Sequence, residues 1–112
     1  MPNEMLDDVR KFLADAKKLS EGGLTISEFG ELLVALLRLA VKLADGYQVP
    51  GEQKKAWVLE IVGVFFDEVA DGLVPIYAKP VWFLLRPAVR SLVLSLASGA
   101  IESILPLVRG TE

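Results

Sequence analysis

Leu24 to Gly46 reads "LTISEFGELLVALLRLAVKLADG", a stretch that signals an α-helix from its first residues. Thr25 with Glu28 three residues on is a capping box, and Leu24 and Phe29 bracket it as a hydrophobic staple. Such a start contributes roughly 1 kcal/mol and sets the phase of the helix behind it. From there Glu28, Glu31, Arg38, Lys42 and Asp45 recur on one narrow face, while Leu32, Leu33, Val34, Leu36, Leu37, Leu39, Ala40, Val41 and Leu43 cover the rest. A helix apolar over more than half its circumference lies at the centre of a bundle or at an oligomer interface. The expectation is a helix over 26–45 that forms the core of the protein.

The same periodicity extends outward in both directions. Upstream, Met5, Leu6, Val9, Phe12, Leu13, Ala16 and Leu19 repeat at three- and four-residue spacing. With Asn3 as N-cap and Gly22-Gly23 as stop, they predict a peripheral amphipathic helix over 3–20. Downstream, "DGYQVPGE" (45–52) breaks the chain with two glycines and a proline. A third helix is expected over 52–71, with Val58, Leu59, Ile61, Val62, Phe65, Phe66 and Val69 inward and Gln53, Glu60, Asp67 and Asp71 outward. The stretch 72–86 holds Pro75 and Pro80, and Pro87 comes directly after. It predicts an extended elbow with at most a short turn at 80–86, before a last helix over 87–105 that Pro106 ends or kinks. The fold class expected is all-α: four main helices in one small up-down bundle-like domain, with a proline-rich elbow before the last.

Within the last helix, "SLVLSLASGAIES" (91–103) sets Ser91, Ser95, Gly99 and Ser103 at every fourth position. With Ser98 and Glu102 they form one arc, opposite Val93, Leu94, Leu96, Ala97, Ala100, Ile101, Ile104 and Leu105. Two readings stay open. The arc is the polar face of a soluble helix, or a small-residue seam at which another helix approaches closely, within the chain or between chains.

Composition narrows the chemistry. The 112 residues are 53% hydrophobic and 24% charged, with mean hydropathy +0.45, a net charge of −3 and a pI near 5.0. Apolar content this high with ordinary charge implies surface that one small core does not hide, and hence self-association, an apolar partner or a membrane. No basic cluster exists to grip phosphates, which argues against nucleic acid. Cysteine and histidine are both absent, removing thiol chemistry, the commonest general base and the common zinc ligand. No nucleophile–base pair assembles, since the serines stand without histidine and Lys54-Lys55 fall at an exposed helix start. No catalytic residue, cofactor or metal ligand is therefore assigned, and an enzyme is not expected. The acid-rich start "MPNEMLDDVRK" is not expected to be a secretory signal, and the longest uncharged run, between Arg90 and Glu102, falls short of a spanning helix.

Candidate interaction residues are Trp57 and Val64, on the polar side of the third helix, and Tyr77, Lys79, Trp82, Phe83, Arg86 and Arg90, which interleave aromatics with cations. Residues 72–101 contain those three cations and no acid, directly after an acidic helix. Arg86 or Arg90 is therefore expected to pair with Asp67, Glu68 or Asp71. The leading functional expectation is a non-catalytic, self-associating structural or interaction module, most simply a homodimer, that has room for a further protein partner. The location expected is the cytoplasm, with the peripheral membrane as second choice, and the alternative function is a membrane-associated protein that binds anionic lipid through Tyr77, Lys79, Trp82, Arg86 and Arg90, or inserts helices. In size and apolar character, though in no motif, the chain is similar to small phage lysis proteins of the holin type. A carrier of an apolar ligand is a third possibility.

Overall fold

The capping box forms as its residues dictate. Thr25 Oγ1 accepts from the Glu28 N–H at 3.1 Å, and Glu28 Oε1 accepts from the Thr25 N–H at 2.9 Å. Two otherwise orphaned donors are thereby satisfied, and the bond from the Thr25 backbone holds the Glu28 carboxyl below its ordinary range. In the computed structural model, which describes residues 1–109 and the side chains of 1–103, this helix is α2 (Ile26–Asp45), preceded by α1 (Asn3–Glu21) and followed by α3 (Gly51–Val69) and α4 (Lys79–Arg109). Two 3₁₀ turns, Ala70–Leu73 and Ile76–Ala78, link α3 to α4. No strand occurs among the described residues, and the fold is all-α.

α1 buries Met5, Val9, Leu13 and Ala16 as the stripe predicts, whereas Leu19 is exposed. Asn3 does not cap it. Pro2, extended at φ −64° and ψ 144°, takes the cap position without a side-chain bond, and its fixed φ starts the helix at Asn3 itself.

The centre of the fold is α3 more than α2. Both helices pack against all the others, but α3 does so more extensively, and its Val58, Val62, Phe65, Phe66 and Val69 are fully buried. The leucines of α2 that widen its apolar arc, Leu32, Leu33, Leu39 and Leu43, are only half-buried. An apolar wheel reports how much of a helix can be covered, and neighbours decide how much is. An aromatic row ties the layers together: the Phe29 ring of α2 lies 5.2 Å from Phe65 and 6.5 Å from Phe66, and Phe66 lies 6.1 Å from Trp82 of α4. Lys54, expected at an exposed helix start, is buried and bonded to Asp45 at 2.9 Å. That pair closes the α2–α3 connection.

The largest departure from expectation is the start of α4. No extended elbow reaches Pro87. The helix begins at Lys79 and runs through both Pro87 and Pro106. Pro80 stands in the first turn, where a missing N–H costs nothing. Pro87 sits in the interior, at a cost of about 3 kcal/mol in a free helix. Here it is flanked by side chains anchored to α3 and its following turn, Trp82 and Arg86 before it and Arg90 after, and these contacts carry the helix across it. At 31 residues α4 is about 46 Å long, against a longest molecular dimension of 51 Å.

Candidate functional site: the outer face of α4

α4 is docked by a polar clamp on its inner side. Arg86 and Arg90, one turn apart, reach α3 and the turn after it: Arg86 Nε lies 3.2 Å from Asp71 Oδ1, and Arg90 Nε lies 3.0 Å from Asp67 Oδ1. A second Arg86 nitrogen is 3.4 Å from the same Asp67 oxygen. The expected ion pairs form with Asp67 and Asp71. Trp82 Nε1 donates to Asp71 Oδ1 at 2.7 Å, Lys79 Nζ donates to the Asp71 carbonyl at 2.6 Å, and the Arg86 guanidinium stands 5.4 Å above the Phe66 ring. Gly63 gives Arg90 its room, since a Cβ there would meet the guanidinium at 2.7 Å. At the far end Lys55 pairs with Glu102.

Burial raises the Asp71 carboxyl. The hydrogen bonds from Trp82 and Arg86 and the charges of Arg86 and Lys79 outweigh it, leaving the group below its ordinary value of 3.8. A depressed carboxyl adds stability above its unfolded value and loses it as pH falls through the folded one. In acid titrations below about pH 4, Asp71→Asn is therefore expected to unfold with a shallower pH dependence than the native chain. Parallel acid transitions would exclude the clamp as an acid-sensitive element.

Because every cation of α4 before Glu102 turns inward, the opposite side carries no charge. Val81, Leu84, Leu85, Ala88, Leu92 and Leu96 succeed one another at short helical steps along it. All are exposed: Leu84 to 83%, Leu96 to 65%, Val81 and Leu92 to 59%, and Leu85 to 53%. Ser91, Ser95, Gly99 and Ser103 are exposed on the same side, and a Cβ on Gly99 would meet nothing within 4 Å. The small-residue seam is therefore not covered by a helix of its own chain among the described residues. Leu96, expected on the inward arc, belongs to this outer face. The segment Ile76–Ser103 is also long and apolar enough to cross a membrane, and only 11% of its most apolar window is buried.

Four of the interaction candidates, Lys79, Trp82, Arg86 and Arg90, meet around Asp67 and Asp71 in the clamp, and the other four do not join them. Tyr77 and Phe83 are exposed, whereas Trp82 is buried, and Lys79, Arg86 and Arg90 are half-buried in the clamp. Trp57 packs edge-on against Tyr47 at 6.0 Å inside its own chain. Val64, partly exposed, lines an open groove of about 460 Å³ between α1 and α3, with Val9, Leu13 and Ile61. Sequence reasoning places apolar surface in the 73–85 stretch but does not join Val81, Leu84 and Leu85 to Ala88 and Leu92 in one row, because a helix starting at Pro87 divides their register. The signal that could have found them is the helical spacing that runs unbroken from Val81 to Gly99. Among the described residues no three acidic side chains converge on a metal-sized site. Comparison with protein-family models, with curated proteins and with solved structures finds no match for this chain.

Proposed function

We propose that this protein is a non-catalytic module that self-associates through the outer face of α4. The observation that carries the reading is the uncharged, solvent-facing row Val81–Leu84–Leu85–Ala88–Leu92–Leu96 on a helix whose cations before Glu102 are all turned inward. Those side chains expose on the order of 500 Å² of largely apolar surface, at the upper end of what monomers leave uncovered. Light scattering of the purified chain is expected to give twice the 12.2 kDa chain mass. L84E/L92E places two carboxylates in the row without touching the core. It is expected to give a folded monomer, with association weakened at least ~100-fold. A native chain that is monomeric at every concentration would overturn the proposal.

A second reading, membrane association, is favoured by one observation: the 28-residue length and apolar character of Ile76–Ser103. Anionic-lipid attraction through Lys79, Arg86 and Arg90 has less support, because these cations are held by Asp67 and Asp71. Flotation with vesicles of anionic and neutral phospholipid separates the cases. Salt-resistant flotation with both would favour insertion of α4, and release by salt would favour a surface charge contact.

A further inference from the structure

The outer face of α4 is uneven along its length. Its first half is bulky: Val81, Leu84 and Leu85 stand out to 59%, 83% and 53%. Its second half is shallower: Leu96 stands out to 65%, but Ser91, Ser95, Gly99 and Ser103 are exposed around it, with open space where a Cβ on Gly99 would sit. Leu92 lies midway between Val81 and Ser103. We propose that two copies pair antiparallel along this face, with the two-fold axis at Leu92. The inference rests on the self-association reading above and adds the orientation.

The occupant is a second copy for two reasons. The first is area. On the order of 500 Å² from the large side chains, extended by the serines and glycine between them, approaches the roughly 800 Å² per partner of a standard interface. The charged side chain of the same arc, Glu102, lies at its end beside Ser103 and is paired with Lys55. The second is shape, since the face supplies both the ridge and the recess that receives it. An axis at Leu92 sets Leu85 over Gly99 of the other copy and Val81 over Ser103, so large side chains of each copy fill the shallow half of its mate. Such an interface is isologous and closes at two chains. A parallel pair would instead set Leu84 and Leu85 against their own equivalents and Gly99 against Gly99. The helices would be held apart at one end and leave a void at the other, and voids and overpacking both destabilise.

The chain has no cysteine, so single substitutions report orientation without background. L85C, L92C and G99C are treated with a short bismaleimide. L85C and G99C are also mixed in denaturant and refolded together before treatment. Covalent dimer is expected from L92C alone and from the L85C/G99C mixture, and not from L85C or G99C alone. Self-linking of both L85C and G99C would overturn the antiparallel pairing while leaving self-association intact. A dimer by light scattering in which neither L92C nor the mixture links would place the interface elsewhere and overturn the proposal. A native chain that is monomeric by light scattering would remove the underlying reading itself.

Discussion

Phe66→Ala is expected to lower the unfolding free energy by about 3–5 kcal/mol, the range for deleting a large aromatic side chain from a core. Phe66 has no solvent exposure, and its ring joins three helices. It meets Phe29 of α2 edge-on, lies 6.1 Å from Trp82 and sits beneath the Arg86 guanidinium. The cavity would therefore open under the anchored start of α4 and remove the ring face that Arg86 covers. A domain of this size has about 5–15 kcal/mol of stability in total, so the loss is a large share of it. Urea unfolding followed by tryptophan fluorescence would measure it. A loss below about 1 kcal/mol would mean that the α3–α4 contact is not close-packed at this position.

Gly72→Ala is expected to cost about 1–3 kcal/mol, the range for forcing extra volume into a packed site. An added Cβ would lie 2.6 Å from the Ser20 carbonyl oxygen, 2.9 Å from Ser20 Cβ and 3.2 Å from Ser20 Cα. The end of α1 and the turn after α3 touch backbone to backbone here, and the Gly72 carbonyl accepts from the Leu24 N–H at 2.9 Å. Neither side can move without disturbing the entry to α2. The series Gly63→Ala and Gly99→Ala supplies the contrast. At Gly63 the obstacle is the end of a flexible arginine, while at Gly99 there is none, and alanine is the better helix former by about 1 kcal/mol. In the L84E/L92E background, where no second copy covers Gly99, melting temperatures are expected to rank Gly99→Ala highest and Gly72→Ala lowest. A Gly72→Ala variant as stable as the native chain would show that the α1–turn contact has slack.

Local chemistry accounts for much of the fold. Thr25 and Glu28 need only each other to start α2, and the inward rows of α1 and α3 come from spacing, because a helix face is set by its 3.6-residue period. The pairing of Arg86 and Arg90 with the acids of α3 and its following turn is likewise legible, since a cationic segment with no acids directly follows an acidic helix.

Residue order alone thus accounts for the helical class, the phases of α1 to α3, the breaks between them and a charge pairing across the last connection. Packing between helices supplies the remainder. A proline is a local penalty, and whether a helix ends there depends on what holds its two sides. Trp82, Arg86 and Arg90, all fastened to Asp67 and Asp71, carry α4 across Pro87. The same fastening creates the candidate site. Counted along the chain, Arg86 and Arg90 interrupt an apolar segment, but folded against α3 they are drawn to one side and leave the other uncharged from Val81 to Leu96. Linear order carries that division only if one helix crosses Pro87, and the carboxylates of α3 and its following turn decide that it does.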